Sequence, residues 1–183
     1  MTEVLTLFFA VLALLSLLGA AAIVGMSVAG RGSALVPAVG PYTLAGAATV
    51  ATVATLGSLY LSEVANFIPC RLCWVQRGFM YPLALILWLA VWKRWSSIWR
   101  FALLWPLAGS GVSVLHLAEQ RGWVGSESFC SATAPCSQIW VEHFGFVTIS
   151  FMALCGFLLV AALMWVQQKA ARAAQTSPTI RSN

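Results

Sequence analysis

The sequence predicts an all-α, polytopic membrane protein, and three observations predict this class. Of the 183 residues, 61% are hydrophobic and only 8% are charged, whereas about 25% are charged in soluble domains. The charges leave long apolar gaps, and a transmembrane helix needs roughly 20 apolar residues. These gaps do not alternate with polar residues as the strands of a barrel would. We therefore expect five membrane-spanning helices, near residues 4–28, 42–62, 74–92, 98–118 and 144–166.

The first apolar run is predicted to be a retained membrane helix rather than a cleaved signal peptide. A signal peptide begins with a positively charged region and has a short apolar core. Here the chain begins Met1-Thr2-Glu3, and the apolar run that follows is too long for such a core.

The charged residues indicate the orientation in the membrane. Seven basic residues fall in connections one, three and five: Arg31, Lys93, Arg94, Arg100, Lys169, Arg172 and Arg181. The acids fall at the N-terminus or in connections two and four: Glu3, Glu63, Glu119, Glu127 and Glu142. The positive-inside rule then predicts an outer N-terminus and a cytoplasmic C-terminus. Because the basic residues are scattered, the chain's net charge of +5 does not indicate a nucleic-acid partner.

Four of the five cysteines fall in the segments predicted to face outward. Cys70 and Cys73 form a C-x-x-C, and Cys130 and Cys136 stand in "CSATAPC". Outside the cytoplasm, thiol pairs meet an oxidising compartment in which disulfides form. Cys155, in the middle of the fifth span, is expected to be a small apolar core residue.

Three interpretations of the C-x-x-C compete. Haem attachment needs a histidine directly after the motif, but Trp74 stands there. Zinc needs four ligands, which the four outer cysteines offer, but structural zinc usually holds together a small soluble fold, which this chain lacks. We therefore expect no metal. The third interpretation is redox chemistry, since a helix N-terminus stabilises a thiolate and Pro69 precedes a helix that begins within the motif. The chemistry favours redox.

Two further polar residues are candidates for binding an electron acceptor. Arg77 follows Cys73 by four residues and lies on the same helix face. In an apolar region it either snorkels to the headgroups or holds a polar ligand. Two thiols give up two electrons, and a lipid-soluble quinone is the natural acceptor in a chain without obvious haem ligands or a nucleotide motif. His116, near the outer end of the fourth span, either assists that quinone or is structural.

The segment "FIPCRLCWVQRGFMYPL" resembles the signature of the DsbB family of bacterial membrane thiol oxidases. "LGSLYLSEVANFIPC" and "PCSQIWVEHFGFVTISFMAL" are similar to the Gram-positive, BdbC-like branch of that family. The resemblance covers residues 42–166 and implies a four-helix membrane domain with an outer redox loop at 119–143. An extra N-terminal helix with its linker (1–41) and a cytoplasmic tail (167–183) complete the chain.

The resemblance implies a route for electrons. A soluble thioredoxin-like protein of the DsbA type attacks the Cys130–Cys136 disulfide, with Cys130 as the site of the mixed disulfide. Thiol exchange then reduces the Cys70–Cys73 pair, and Cys73 meets a membrane quinone, either ubiquinone or menaquinone. The implied activity is a quinone-dependent protein disulfide oxidoreductase of the bacterial cell membrane. The implied catalytic residues are Cys70, Cys73, Cys130 and Cys136, and the implied quinone-binding residues are Arg77 and His116.

The chain departs from the family pattern in three places. Family members commonly have four spans, whereas five are predicted here. The loop cysteines are six positions apart, closer than in the Gram-negative enzymes, so a smaller loop rearrangement is expected. Ser150 stands where relatives often have proline, so the start of the fifth span is expected to be straighter.

One interpretation from a different class of protein competes with the redox enzyme. A membrane scaffold or binding protein with purely structural disulfides explains the four outer cysteines. It leaves unexplained Arg77 and the position of Cys73 at a helix start. Sensitivity of the disulfides to mild reductant separates the two interpretations.

The predicted orientation can be tested by labelling. Ser97→Cys, in the third connection, is expected to resist membrane-impermeant thiol reagents in intact cells. Ser126→Cys, in the fourth connection, is expected to react, because that loop faces outward. Labelling at position 97 without labelling at 126 would overturn the orientation and, with it, the predicted function.

Overall fold

The computed structural model of the protein describes residues 2–31, 37, 39–95, 98–124, 130 and 135–176. Within them, five long α-helices follow one another: α1 (Thr2–Val28), α2 (Thr43–Glu63), α3 (Arg71–Lys93), α4 (Trp99–Gln120) and α5 (Ile149–Thr176). A 3-10 turn at Gly40–Tyr42 leads into α2, and an antiparallel pair, β1 (Glu142–His143) and β2 (Val147–Thr148), precedes α5. Each long helix contains a stretch long and apolar enough to cross a membrane. The predicted all-α membrane bundle is confirmed.

Two helix boundaries differ from the predicted ones for local reasons. Helix α3 begins at Arg71 because the extended backbone of Cys70 caps it, so its first turn contains Cys73. Helix α5 begins only at Ile149, because Phe144 and Gly145 have positive φ angles and close the β-turn before it. At its far end α5 continues to Thr176, so the first part of the predicted tail is helical.

Several predicted features lie outside the described residues. These are the labelling positions Ser97 and Ser126, most of the outer loop between Trp123 and Cys136, and the end of the chain after Thr176. The described parts of the predicted loop are residues 119–124, 130 and 135–143, which include both of its cysteines.

Helix α5 is the centre of the bundle. It packs against α1, α2 and α4, while α3 packs against α2 and α4. The fully buried ring of Phe157 on α5 fits against Gly109 of α4. A Cβ atom at position 109 would lie 2.6 Å from that ring, which is too close for any side chain. The pair fixes the approach of α4 to α5.

Polar side chains join the helices inside the bundle. Gln76 of α3 donates to Ser113 of α4 at 3.0 Å, and the Thr43 hydroxyl of α2 donates to Gln167 of α5. In an apolar environment such groups must find protein partners. The outward faces carry large apolar side chains such as Leu85 and Leu104, as a lipid-facing surface requires.

Candidate functional site

Cys70 and Cys73 meet at the first turn of α3. Cys70 is the N-cap residue, and its sulfur accepts a hydrogen bond from the backbone N–H of Cys73 at 3.4 Å. Because residues three apart share a helix face, the two Sγ atoms lie 3.0 Å from each other. Both thiols are free in this structure. Cys70 is thus the cysteine that caps the helix, and Cys73 lies in the first turn. The C-x-x-C motif alone does not tell which of the two cysteines is the cap.

His116 of α4 lies between Cys70 and Ser150 and contacts both. Its Nε2 lies 3.5 Å from the Cys70 sulfur, and its Nδ1 lies 2.9 Å from the hydroxyl of Ser150 on α5. The imidazole is 2% exposed. Ser150, noted in the sequence only as a departure from proline, therefore orients the histidine. A proline at that position has no side-chain group to do so.

These contacts lower the pKa of Cys70, which stands just before the membrane-spanning part of α3. The hydrogen bond from the Cys73 thiol is the largest cause, and burial opposes it. A hydrogen bond and charge attraction from His116 add to the lowering, so that the pKa falls from 9.0 to about 4. Of the two thiols, Cys70 is therefore the one held as a thiolate.

The Cys130–Cys136 disulfide packs beside this pair. Cys136 is fully buried and belongs to the same small apolar cluster as Cys70 and Leu72, whereas Cys130 is partly exposed. An incoming thiol therefore meets Cys130 first, while the sulfur of Cys136 faces the interior.

Glu119 lies beside the Cys130–Cys136 disulfide. From the sequence it is recognisable only as one of the five acidic residues. It is 1% exposed, and its Oε2 lies 3.5 Å from the sulfur of Cys130. Its Oε1 has no hydrogen-bond partner among the described residues. The carboxylate is placed to accept a hydrogen bond from Cys130 once the disulfide is reduced. One feature of the sequence could have pointed to Glu119. It follows His116 by three residues, which puts both side chains on one face of α4.

A cavity of about 360 Å³ lies between α1, α2, α3 and α5. Its wall is mostly apolar, and Cys73, Gln76 and Arg77 provide polar groups at one end. Sites for small molecules typically have volumes of about 300–1,000 Å³ with few polar groups. Cys73 also lines a smaller cavity shared with Cys70 and His116. The sulfur of Cys73 thus stands between the buried thiolate and the larger cavity.

Arg77 is fastened to the wall of this cavity. Its Nε donates to the Ser58 hydroxyl at 2.9 Å, and its Nη2 donates to the Ser58 carbonyl at 3.0 Å. The guanidinium also lies 5.2 Å from the centre of the Trp74 ring, a cation–π distance. Its remaining nitrogen, Nη1, has no hydrogen-bond partner among the described residues. Among the two predicted quinone-binding residues, Arg77 lines the larger cavity and His116 the smaller one.

Among the residues that the structure describes, two groups of side chains bring possible metal-ligand atoms within 4.8 Å of one another. Cys70, Cys73 and His116 form the first, which offers three of the four donors of a zinc site. In the second, Glu119 stands beside sulfurs that are already joined in a disulfide. Cys155 is fully buried in α5, as predicted for a small core residue.

The pKa of Cys70 gives a test of this arrangement. The ultraviolet absorbance of its thiolate, measured against a Cys70→Ser baseline, is expected to persist as the pH falls and to disappear near pH 4. His116→Ala removes a hydrogen bond and a charge interaction that lower the pKa of Cys70, so the absorbance should be lost at a higher pH. His143→Ala is the matched control, because that histidine contacts Thr6 instead. Identical titrations of the His116→Ala variant and the unchanged protein would contradict the assignment.

Comparison with known proteins agrees with this geometry. Residues 41–167 match the sequence profile of the family described as Disulfide bond formation protein DsbB. The chain is 43% identical over 117 residues to Disulfide bond formation protein C of Bacillus subtilis, an alignment covering 63% of this chain and 84% of that protein. It is 41% identical over 128 residues to Probable disulfide formation protein C of Bacillus cereus, covering 68% and 91%.

A third relative is the Probable disulfide formation protein of Metapseudomonas resinovorans, 36% identical over 117 residues, with 63% of this chain and 81% of that protein covered. No solved structure matches the chain at a comparable level of significance. The matched residues include Cys70, Cys73, Cys130, Cys136, Arg77 and His116, and they begin after α1. The resemblance to the DsbB family and to its Gram-positive branch is confirmed by the profile and by the Bacillus relatives. The chain belongs to the DsbB family of disulfide bond formation proteins.

Proposed function

We propose that the protein is a membrane thiol:disulfide oxidoreductase that reoxidises a DsbA-type, thioredoxin-fold protein outside the cytoplasm. It passes the electrons to a membrane quinone, ubiquinone or menaquinone, and so sustains disulfide formation in exported proteins. The observation that carries this proposal is the spatial order of three features: the loop disulfide, the Cys70–Cys73 pair and the apolar cavity. A reachable disulfide packs beside a buried dithiol, and the dithiol borders an apolar cavity.

The first step is exchange at the loop disulfide. A thiolate of the protein partner attacks the sulfur of Cys130, which is the partly exposed one, and Cys136 leaves as a thiolate. A second thiol of the partner then attacks the mixed disulfide, so the partner departs oxidised and both loop cysteines are reduced. Exchange of this kind needs access to the disulfide and an attacking thiolate.

The second step returns the loop to its disulfide. Cys136, in the same apolar cluster as Cys70, attacks an oxidised Cys70–Cys73 pair, and Cys130 then closes the loop disulfide. The Cys70–Cys73 pair now carries the two electrons.

The third step is oxidation of the dithiol at the cavity. A bound quinone accepts two electrons and two protons and leaves as hydroquinone. The cavity fits such a ring in volume and in its apolar wall, and Nη1 of Arg77 is a free donor for a ring oxygen. Cys73 lies at the wall, the Cys70 thiolate closes the disulfide on it, and His116 stabilises that thiolate beforehand.

The proposed orientation has the N-terminus and both cysteine pairs outside a bacterial cell membrane. The charge distribution supports it. A contact at the outer end of the bundle also supports it, because Thr6, near the start of α1, lies 3.0 Å from His143 of the strand that follows the loop. The N-terminal end of α1 and the redox loop are therefore on the same side.

The competing function, a membrane scaffold with purely structural disulfides, explains fewer features of the site. It gives no role to two free thiols 3.0 Å apart, with the pKa of Cys70 lowered, at the edge of a cavity. Mild reductant separates the two functions, because a structural disulfide resists it, whereas a catalytic pair is reduced and then reoxidised by quinone.

Reconstitution with the purified protein, a reduced thioredoxin-like oxidant and a quinone tests the relay. Cys130→Ser or Cys136→Ser should stop oxidation of the protein partner but leave Cys70–Cys73 oxidisable by quinone. Cys73→Ser should abolish quinone reduction. Cys155→Ser is the control, since that buried thiol has no place in the route. If a double variant lacking both loop cysteines oxidised the partner at the normal rate, the relay would be wrong.

Arg77 tests the quinone site itself. A charged hydrogen bond contributes roughly 1.5–3 kcal/mol, so Arg77→Ala should raise the Michaelis constant for quinone about tenfold to hundredfold. Arg77→Lys should restore part of the loss, because it keeps the charge without the planar fork. Exchange between the protein partner and the loop disulfide should change little.

Ser58→Ala is the matched control for this prediction. It removes one hydrogen bond to Arg77 but keeps the guanidinium and the carbonyl that holds it, so a much smaller effect is expected. Unchanged quinone kinetics in Arg77→Ala would show that the arginine does not contact the quinone.

A further inference from the structure

Helix α1 lies outside the part of the chain that matches the family, yet it forms one side of the cavity. The match begins at residue 41, whereas α1 ends at Val28. Four of its side chains line the cavity: Phe9, Leu12, Ala13 and Ser16. Their spacing of three and four residues puts them on a single face of the helix. The cavity is therefore bounded by an element that the four-helix domain does not contain.

Contacts at two levels hold α1 in this position. Near its middle, α1 packs closely on α5, where a Cβ at Gly19 would lie 3.6 Å from Leu159. At its outer end, the buried hydroxyl of Thr6 bonds His143 of the strand pair. Helix α1 is held at both places, so the side chains that it contributes to the cavity have fixed positions.

The opposite face of α1 points away from the protein. Phe8, Leu15 and Leu18 are 53%, 58% and 65% exposed, and in a membrane-spanning helix such side chains contact lipid. Helix α1 thus stands between the cavity and the lipid on that side.

Phe9 packs against α2 at this cavity. Its ring atoms lie 3.1 Å from the point where a Cβ at Gly57 of α2 would be, so any larger residue at 57 would meet the ring. Gly57 immediately precedes Ser58, the residue that holds Arg77. Phe9, Gly57, Ser58 and Arg77 all line the same cavity.

We propose that α1 sets the size of the quinone cavity and that Phe9 is a specificity-determining residue for the quinone ring system. This inference rests on the proposed function, because it assumes that a quinone binds beside Cys73 and Arg77. The physical reason is steric. A flat ring that lies against the Arg77 end of the cavity has Phe9 as its neighbour on the α1 side, so the bulk of that side chain limits the width available.

The inference is tested with two quinones that carry the same tail, decylbenzoquinone with one ring and decylnaphthoquinone with two fused rings. Phe9→Ala widens the space and should shift the ratio of kcat/KM toward the two-ring quinone by about tenfold, the usual effect of pocket size on discrimination. Phe9→Trp narrows it and should shift the ratio about tenfold in the opposite direction. Phe9→Leu should give a smaller shift than Phe9→Ala.

Binding without turnover provides a second readout. In a Cys73→Ser background, which cannot pass electrons to quinone, each quinone should quench the fluorescence of Trp140, another cavity residue. The ratio of the two dissociation constants should change in the same directions as the kinetic ratio. Leu15→Ala is the matched control, because its side chain is on the lipid-facing side of the same helix and does not line the cavity. It should change neither ratio.

The outcomes separate the inference from the function on which it rests. If the unchanged protein reduces quinone but the Phe9 variants keep its kinetic and binding ratios, or give the same ratios as Leu15→Ala, the role of α1 is wrong and the proposed function stands. If the unchanged protein neither binds nor reduces either quinone, the proposed function itself fails. Stoichiometric oxidation of the protein partner by the loop disulfide of each variant shows that its fold is intact.

Discussion

The structure depends on how α3 begins. A cysteine sulfur serves as the cap of this helix, accepting the backbone N–H of Cys73, and that first turn positions the two sulfurs and the arginine. Cys73 follows at the spacing that brings the two sulfurs together, and Arg77 follows one turn later on the same face. A cap also keeps the helix terminus from carrying unsatisfied donors into an apolar environment. The reactive group and the helix end therefore stabilise each other.

Serine hydroxyls hold the charged and polar groups inside the bundle. Ser58 holds Arg77, Ser113 holds Gln76, and Ser150 holds His116. Each pair joins two different helices, so each hydrogen bond both satisfies a buried polar group and sets the relation of two helices. Such groups are costly in an apolar interior unless they are paired. These hydrogen bonds from serine explain how an arginine and a histidine are tolerated beside the thiols in an apolar interior.

The sequence alone predicts the helices and the family well, because apolar runs and the segment around Cys70 and Cys73 are local patterns. Apolar runs give the five spans, and the spacing of Cys70, Cys73 and Arg77 within one helix gives their common face. The partners of these residues are not local. Ser58 and Ser150 lie on other helices, and only packing shows that they meet Arg77 and His116. Glu119 reads as an ordinary outer acid until the fold buries it beside Cys130. For the same reason, the sequence gives no sign that α1 reaches the cavity.

The ring of Phe157 in the gap left by Gly109 has a mechanical consequence. It locks α4 and α5 together below the site, and close-packed interfaces of this kind do not deform continuously. His116 and Glu119 stand on α4 and Ser150 on α5, so the lock keeps the imidazole and the carboxylate in fixed register with the sulfurs. Sliding of α4 along α5 would break this packing. The proposed thiol exchange therefore takes place by rotation of cysteine side chains beside a rigid pair of helices.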